Sequence, residues 1–232
     1  MKTLTMTAPG KNALGTQLMT WLITELREAA GEPVILTGAG DAFSAGLNLK
    51  EVVSLDRPGM AHYLHLLESM VDAIYNYPGP TIAWVNGHAI AGGCVIALAC
   101  DHRLVKNDPA IRIGLNETQN GLQLPPKTGK LVRHRVPAHS LDRVVLGGAL
   151  YSPDVALRLG LIDEIVTSEA DVHAYAAQVA KAPPAAYALA KETLRKGVLH
   201  VSEAEQKHFI AETVPLWTSD ELKIKLAAIL KK

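Results

Sequence analysis

This sequence lacks an excess of charge of one sign. Its 23 basic residues balance its 23 acidic residues over 232 positions. A protein whose main partner is nucleic acid or an anionic membrane ordinarily carries an excess of positive charge. The balance therefore disfavours both partners. With 48% apolar residues the chain is globular, and its length is at the upper end for a single domain.

Cysteine is also scarce, because only Cys94 and Cys100 occur and both lie within one apolar run. They do not make the disulfide framework of a small secreted protein, and they match no zinc-binding spacing. We therefore expect reduced, structural thiols in a cytoplasmic protein. The opening residues MKTLTMTAPGKN lack the continuous apolar segment of a signal peptide, so the mature chain is expected to start near Met1.

One uncharged stretch, residues 81–100, has the length of a membrane helix, for which about 20 residues suffice. The turn sequence NGH and the glycine pair of residues 92 and 93 interrupt it. No membrane span is therefore predicted. We expect instead a buried strand, a turn that contains His88, and a buried helix, over residues 81–85, 86–88 and 92–100.

Hydrophobic periodicity predicts an alternation of helices and strands in the first two thirds of the chain. Apolar residues recur at helical spacing in two segments, 14–30 and 59–75. Short aliphatic runs predict further strands at 33–38 and 102–107. This alternation indicates an α/β fold whose strands are buried on both faces.

From about Pro153 the segments are rich in alanine and have helical periodicity, and several open on residues that favour helix N-termini. Only residues 161–166, LIDEIV, interrupt them as a strand candidate. This helical region is too thin to bury all its apolar faces alone. We therefore expect it to pack on the first part of the chain or on another subunit.

Two glycine-rich turns carry the first chemical signal. The segment GAGDAFSAGLNLKE at 38–51 follows a predicted strand, and AIAGGCVIALACD at 89–101 opens a predicted helix. Both can present free N–H groups, because glycine permits close approach and a helix leaves its first amides without internal partners. If the amides of Leu47 and Gly92 face one spot, they form a donor pair for a developing oxyanion. A single glycine-rich turn after a strand is more often a structural feature than a ligand-binding site.

Neither turn matches a phosphate-binding motif. The segment GAGDAFSAG lacks the third glycine of a dinucleotide fingerprint in register, and the sequence contains no G-x-x-x-x-G-K-[ST] pattern. A nucleotide-dependent kinase or dehydrogenase is therefore disfavoured.

Together, DAFSAGLNLKE, TIAWVNGHAIAGGCVIALACDHRL and IGLNETQNG resemble, in their order and spacing, the crotonase superfamily of enoyl-CoA hydratases and isomerases. The resemblance extends through LGGALYSPDVALRLGLIDEIV and APPAAYALAKETLRKG and covers roughly residues 10–230. The N-terminus looks short, as if the first strand or two usual in the family were missing.

The resemblance implies an α/β fold built as a crotonase-like spiral of ββα turns, with a C-terminal α-helical region. Residues 1–166 would form the acyl-CoA-binding core, and residues 167–232 would assemble a homotrimer or a dimer of trimers. The substrate would be an acyl-CoA thioester, with coenzyme A as its only cofactor component and no metal. The oxyanion donors would be the main-chain N–H groups of Leu47 and Gly92. The residues implied to bind substrate are Ala45, Gly46, Asn48, Leu49, Val95 and Asn116.

Asn48 departs from the family, most of whose members carry Asp at that position. The departure changes local hydrogen bonding and leaves the donor in place, because the donor belongs to the main chain. Acyl chains are expected along the helix predicted at 59–75. Three lysines are candidate partners of coenzyme A phosphates, namely Lys50, Lys223 and Lys225.

The carboxylates suggest which reaction is catalysed. Hydratases of the family place two glutamates around one water, and their positions fall on Val95 and Glu117. A valine cannot hold or activate water, whereas one carboxylate suffices to carry a proton between two carbons. Ile113, Leu115 and Leu122 flank Glu117, so partial burial should raise its pKa.

The sequence thus favours a Δ3,Δ2-enoyl-CoA isomerase of the mitochondrial type, with Glu117 as acid and base. The first alternative is an enoyl-CoA hydratase in which another residue positions the water. The second is an inactive scaffold or an RNA-binding relative that retains the fold. On local sequence alone, Glu117 could equally be a solvated loop residue, since acidic loop residues are mostly exposed.

Four other side chains carry groups that could react or bind a metal. His62 and His65 lie at ligand spacing on one helix but have no further ligand nearby, so an exposed helix face is the better interpretation. Ser44 lacks the G-x-S-x-G context of a hydrolase nucleophile. No cation adjoins Cys94 in sequence to lower its pKa, so we expect a small buried filler.

Overall fold

The computed structural model describes residues 1–230 and is α/β, as predicted. Within these residues the strands are β1 (Lys2–Met6), β2 (Val34–Gly38), β3 (Ala42–Ser44), β4 (Thr81–Val85), β5 (His88–Ile90), β6 (His102–Lys106), β7 (Ile113–Gly114) and β8 (Glu164–Val166). They form two parallel sheets, in the orders β1-β2-β4-β6-β8 and β3-β5-β7.

The helices follow the strands in a repeating order. A single turn over Pro9–Asn12 is labelled α1. The other helices are α2 (Thr16–Ala29), α3 (Leu49–Ser54), α4 (Arg57–Tyr75), α5 (Gly92–Ala99), α6 (Glu117–Asn120), α7 (Pro126–Arg135), α8 (Ala138–Val145), α9 (Pro153–Arg158), α10 (Glu169–Val179), α11 (Pro184–Arg195), α12 (Glu203–His208), a π-helical segment (Phe209–Thr213), α13 (Val214–Trp217) and α14 (Asp220–Ile229).

The chain winds as a spiral. Each of three successive turns adds one strand to the larger sheet and the next strand to the smaller one, and then continues into helices. The two strands of each turn are β2 and β3, β4 and β5, and β6 and β7; within a turn the two strands belong to different sheets. As a result, the smaller sheet collects three neighbouring parallel strands whose carboxyl ends meet at one edge.

Both faces of the larger sheet are covered. Ile35, Ile82, Trp84 and Leu104 pack against α10, while the alternate residues of the same strands face the main hydrophobic core. Because strand side chains alternate between faces, such strands carry apolar residues on both faces. The short apolar segments within the strands at 34–38, 81–85 and 102–106 therefore made these strands predictable.

Several predictions of local structure need correction. The strand predicted at 161–166 is shorter, because only Glu164–Val166 pairs with β6. His88, predicted to be a turn residue, begins β5, and its Nδ1 accepts the Arg112 N–H at 3.0 Å. At the N-terminus, β1 was not predicted, and it pairs with β2 along its whole length.

A buried ion cluster joins the C-terminal helices to the spiral. The Asp101 carboxylate contacts the Lys191 ammonium at 2.9 Å and the Arg195 guanidinium at 2.7 Å, and it accepts the Tyr187 hydroxyl at 2.8 Å. Burial opposes ionisation of Asp101, but the two cations hold its pKa below the ordinary range. Helix α11 is therefore fixed to the core by ion pairs and a hydrogen bond.

None of the helices in residues 1–230 has both the length and the hydropathy needed to cross a membrane.

Candidate active site

Three functional positions predicted from the sequence lie just beyond the carboxyl ends of the strands of the smaller sheet. Leu47 follows β3, Gly92 follows β5 and Glu117 follows β7. Because these strands are neighbours and parallel, the residues that leave their carboxyl ends lie close together. The fold thus brings to one edge groups that are 70 residues apart in sequence.

The backbone around Leu47 leaves one amide available. The Ala45 N–H donates to the Lys11 carbonyl at 3.0 Å, the Gly46 N–H to the Ser44 hydroxyl at 3.2 Å, and the Asn48 N–H to the Leu14 carbonyl at 3.2 Å. The Leu47 N–H makes no hydrogen bond within residues 1–230. The residues on either side of Leu47 both bond to Leu14. Because backbone groups alternate in direction along an extended segment, the Leu47 N–H points away from Leu14.

The second amide belongs to Gly92, the first residue of α5, and such an amide has no acceptor within its own helix. Ala91, immediately before it, has a positive φ of 51°, a strained conformation for a residue with a side chain. A Cβ on Gly46 would lie 3.2 Å from the Gly92 nitrogen. The two turns are thus in contact, and their free amides are neighbours.

A cavity of about 440 Å³ opens beside these amides. Six of the nine predicted site residues line it, namely Ala45, Leu47, Asn48, Leu49, Asn116 and Glu117. The other three, Gly46, Gly92 and Val95, are not among its lining residues; Gly92 and Val95 are buried. Side chains that the sequence analysis did not predict complete the wall, among them Pro9, Ala13, Ile90, Leu122, Leu150, Leu226 and Ile229.

Glu117 is the one carboxylate among the described residues that line this cavity. Its side chain is 9% exposed, and its Oε2 atom has no hydrogen-bond partner within residues 1–230. Burial raises its pKa from the ordinary 4.5 to about 7. A carboxyl group with such a pKa can both accept and return a proton near neutral pH.

Two buried side chains of α5, Cys94 and Val95, follow the Gly92 amide. Val95, three residues after Gly92, is 2% exposed and contributes no polar atom. Burial raises the pKa of the Cys94 thiol to about 12, and the Glu117 carboxylate adds to that rise. A thiol with this pKa is a poor nucleophile, which agrees with the prediction that Cys94 is a buried filler.

Ser44, excluded above as a nucleophile, has a structural role instead. Its hydroxyl donates to the Asn12 carbonyl at 2.8 Å and accepts the Gly46 N–H. Ser44 is fully buried, so both bonds are shielded from water. The side chain thereby fixes the turn from which the Leu47 amide projects.

A second group of contacts holds the opposite side of that turn. The Leu14 N–H donates to the Gly46 carbonyl at 2.8 Å, and the Tyr63 hydroxyl donates to the Leu14 carbonyl. The Glu51 carboxylate accepts the Thr16 N–H at 3.1 Å as well as its hydroxyl. Helices α2, α3 and α4 therefore all contribute to the position of the loop.

Helix α14 closes the cavity on its outer side. The Lys223 ammonium donates to the Leu55 carbonyl at 2.9 Å, and the Lys225 ammonium donates to the Gln119 carbonyl at 3.0 Å. Both lysines, predicted to contact coenzyme A, thus bind backbone within the chain, whereas Lys50 is exposed and lines the cavity. The spacing of Leu222, Leu226 and Ile229 predicts an amphipathic helix, but it does not predict which surface that helix covers.

The prediction that an acyl chain lies along residues 59–75 has no support in the cavity. No residue of α4 lines it in the described part of the chain, because the apolar side chains of that helix are packed into the main core. The acyl chain of a substrate bound near Glu117 must therefore contact residues outside α4.

The arrangement has a defined chemical capacity. A mostly apolar cavity contains one carboxylate whose pKa lies near neutrality, beside two adjacent main-chain amides. Such a site can remove a proton from an acidic carbon, while the amides stabilise negative charge on an oxygen.

Comparison with known proteins identifies the family of the chain. A sequence profile of the family described as "Enoyl-CoA hydratase/isomerase" matches residues 1–221. Human mitochondrial enoyl-CoA delta isomerase 1 is 28% identical over 97% of this chain and 77% of its own length. A putative enoyl-CoA hydratase from Thermus thermophilus is 35% identical over 79% of this chain and 76% of its own length.

Solved structures give the same picture for the fold. The crystal structure of the human mitochondrial Δ3-Δ2-enoyl-CoA isomerase superposes with a TM-score of 0.89 at 27% identity, over 99% of this chain and 92% of that one. An enoyl-CoA hydratase from Bacillus halodurans superposes with a TM-score of 0.85 at 26% identity, over 97% and 95%. The predicted crotonase-like fold is confirmed, and both reactions occur among the names of similar proteins.

Proposed function

The chain belongs to the enoyl-CoA hydratase/isomerase family, and we propose that within it the protein moves a double bond from Δ3 to Δ2 of an enoyl-CoA. The observation that carries the proposal is the single carboxylate, Glu117, in a mostly apolar cavity beside two free amides. Val95 stands where hydratases of the family are expected to place a second glutamate.

In the proposed mechanism the Glu117 carboxylate removes a proton from C2, which the thioester makes acidic. The electron pair of that C–H bond forms a C1–C2 double bond, and negative charge moves to the thioester oxygen. The N–H groups of Leu47 and Gly92 donate to this oxygen. The carbonyl then reforms, the C1–C2 electron pair moves to make a C2–C3 double bond, and the electron pair of the C3–C4 double bond takes the proton from Glu117 to make the C4–H bond.

The environment of Glu117 supports both halves of this cycle. A carboxylate with an ordinary pKa would be a weak base at neutral pH, whereas burial brings the pKa of Glu117 close to the working pH. The apolar side chain of Val95 offers no hydrogen bond to a water, which disfavours hydration of the product.

Hydratase activity is the second candidate, because a similar protein named as a putative hydratase is 35% identical. Separate incubations with a 3-enoyl-CoA and a trans-2-enoyl-CoA distinguish the two reactions. We expect the first substrate to gain the absorbance of a conjugated thioester and the second to persist. Rapid hydration of the second substrate with negligible isomerisation of the first would refute the isomerase proposal.

An inactive scaffold is tested with the Glu117→Gln variant. We expect loss of isomerisation with unchanged folding and unchanged affinity for coenzyme A, because the amide keeps the size of the carboxyl group and cannot act as a base. A variant as active as the parent would remove Glu117 from the mechanism.

We also propose that residues 167–230 mediate assembly into a homotrimer or a dimer of trimers. Large apolar side chains are exposed along these helices, namely Leu189, Leu194, Ile210, Leu216 and Ile224. Exposed apolar surface of this extent is typical of an interface between subunits. Light scattering should give three or six times the mass of the chain, and Leu194→Asp should lower it; a monomeric parent protein would contradict the proposal.

A further inference from the structure

A second cavity adjoins the candidate active site. It measures about 460 Å³, within the range of small-molecule sites, and its apolar walls come from Leu115, Leu122, Leu124 and Val145. Glu117 and Leu122 line this cavity as well as the first one. The carboxylate thus stands at the boundary between two cavities.

This boundary position restricts the path of a bound substrate. In the proposed isomerisation Glu117 exchanges a proton with C2 and with C4, so both carbons lie beside it. The thioester lies in the first cavity, where the amides are, together with the arm that joins it to coenzyme A. Carbon atoms beyond C4 therefore start at the boundary and point away from the thioester.

We propose that the second cavity binds the acyl tail beyond C4, and that the substrates are 3-enoyl-CoA esters of medium or long chain length. The inference rests on the proposed function. Four aliphatic side chains make its wall, so each further CH₂ group gains contact with apolar surface. This path also replaces the one along α4, whose side chains are committed to the core.

The outer end of the second cavity is open. Thr118, Gly121 and Gln123 line it and are exposed to solvent. A tail that outgrows the apolar wall can therefore continue into water. We expect affinity to rise with chain length until the wall is covered and then to stay level, with no sharp upper limit.

Val145 is the residue best placed to control this path. It lies at the end of α8, is half-buried and lines only the second of the two cavities. Its carbonyl accepts the Thr118 hydroxyl at 2.8 Å, so the segment that follows Glu117 holds it in place. A larger side chain at this position would fill the cavity without reaching the amides.

The test compares Val145→Trp with the parent protein on 3-enoyl-CoA esters of six to twelve carbons. In the parent, kcat/KM should rise by about fourfold for each added CH₂ group that the wall covers. In Val145→Trp this rise should disappear, because the tryptophan side chain occupies the space that the added CH₂ groups would enter. Full retention of the preference for long chains in Val145→Trp would overturn the proposal.

Ile229→Trp is the matched control, because Ile229 lines only the first cavity, on the side of α14. It should lower kcat/KM for all chain lengths by a similar factor. Loss of the chain-length dependence in Ile229→Trp instead would place the tail in the first cavity and refute the inference.

Binding of saturated acyl-CoA esters separates this inference from the proposed reaction. Calorimetry should show affinity that rises with chain length in the parent and stays level in Val145→Trp, whatever reaction the protein catalyses. If no 3-enoyl-CoA is turned over but this difference is found, the isomerase proposal fails and the tail site stands. Equal dependence on chain length in both proteins would refute the tail site.

Discussion

Replacement of Glu117 by Gln should stabilise the protein at alkaline pH and inactivate it. The pKa of Glu117 is raised from 4.5 to about 7, so the folded state holds this proton more tightly than the unfolded chain. Between these two values the folded state binds more protons, and stability is lost as pH rises. The neutral glutamine side chain does not undergo this loss.

The size of the effect follows from the same two values. At about 1.4 kcal/mol for each tenfold difference in proton affinity, ionisation of Glu117 costs the fold ~3 kcal/mol once the pH is well above 7. Glu117→Gln should therefore match the parent near pH 4 and exceed its free energy of unfolding by ~3 kcal/mol near pH 8. Its kcat should fall by about 10²–10⁴-fold, because the base is lost.

Urea denaturation at fixed protein concentration, repeated from about pH 4 to about pH 8, measures the stability difference. The same pKa should govern activity: kcat/KM of the parent should rise tenfold per pH unit up to about pH 7 and then level off. The control is Glu164→Gln, the same chemical change on an exposed side chain. A stability difference for Glu117→Gln that does not vary with pH would refute the burial argument.

Three further variants test other parts of the site and the fold. Gly46→Ala, at a φ of +89° and with its Cβ 2.7 Å from the Ile90 carbonyl, should disturb the amide pair and lower kcat about 100-fold in steady-state assays. Val95→Glu should create hydration of trans-2-enoyl-CoA, seen as loss of the conjugated absorbance, and lower stability because position 95 is buried. Asp101→Asn should lower the free energy of unfolding by about 3–5 kcal/mol, since Lys191 keeps an unbalanced buried charge, and leave kcat unchanged.

Each of these variants has a contradicting result. An unchanged kcat in Gly46→Ala would mean that the turn does not position a donor. Faster isomerisation without hydration in Val95→Glu would remove the argument that the missing carboxylate selects the reaction. A fully stable Asp101→Asn would show that the buried ion cluster is not needed to hold α11 in place.

Much of the larger sheet could be predicted from sequence because its inner strands are buried on both faces. The strand at 81–85 is found at the predicted residues, and those at 34–38 and 102–106 differ by one residue at an end. β1 was not predicted, since it lies at the edge and Thr3 and Thr5 are exposed between buried residues. An alternating strand with a lysine and two threonines does not stand out from a loop.

The smaller sheet was beyond prediction from local patterns. Its strands have two or three residues each, too few for a periodicity, and they exist because the spiral brings them together. The same holds for the cavity wall from α14. Its amphipathic pattern predicts a helix, but the identity of the surface that its apolar face covers is a tertiary property.

The candidate site was more predictable than its surroundings, because its chemistry is concentrated in few positions. Glu117 was expected to have a raised pKa from its aliphatic neighbours, and burial provides that rise. The amides of Leu47 and Gly92 were located by the glycines beside them, which the close contact of the two turns requires. The second cavity had no such signal in the sequence. Its wall is made by leucines of one loop and by Val145 at the end of α8, and nothing in the sequence indicates that these residues line the same cavity.

The three short parallel strands that end just before Leu47, Gly92 and Glu117 determine the distances between the groups of the site. Adjacent strands are held ~4.8 Å apart by backbone hydrogen bonds, which do not depend on side-chain identity. Evolution can therefore exchange a side chain beyond one strand end without moving the groups beyond the others. A scaffold of this kind can acquire or lose a reaction through one residue, and position 95 is where that exchange would be made in this chain.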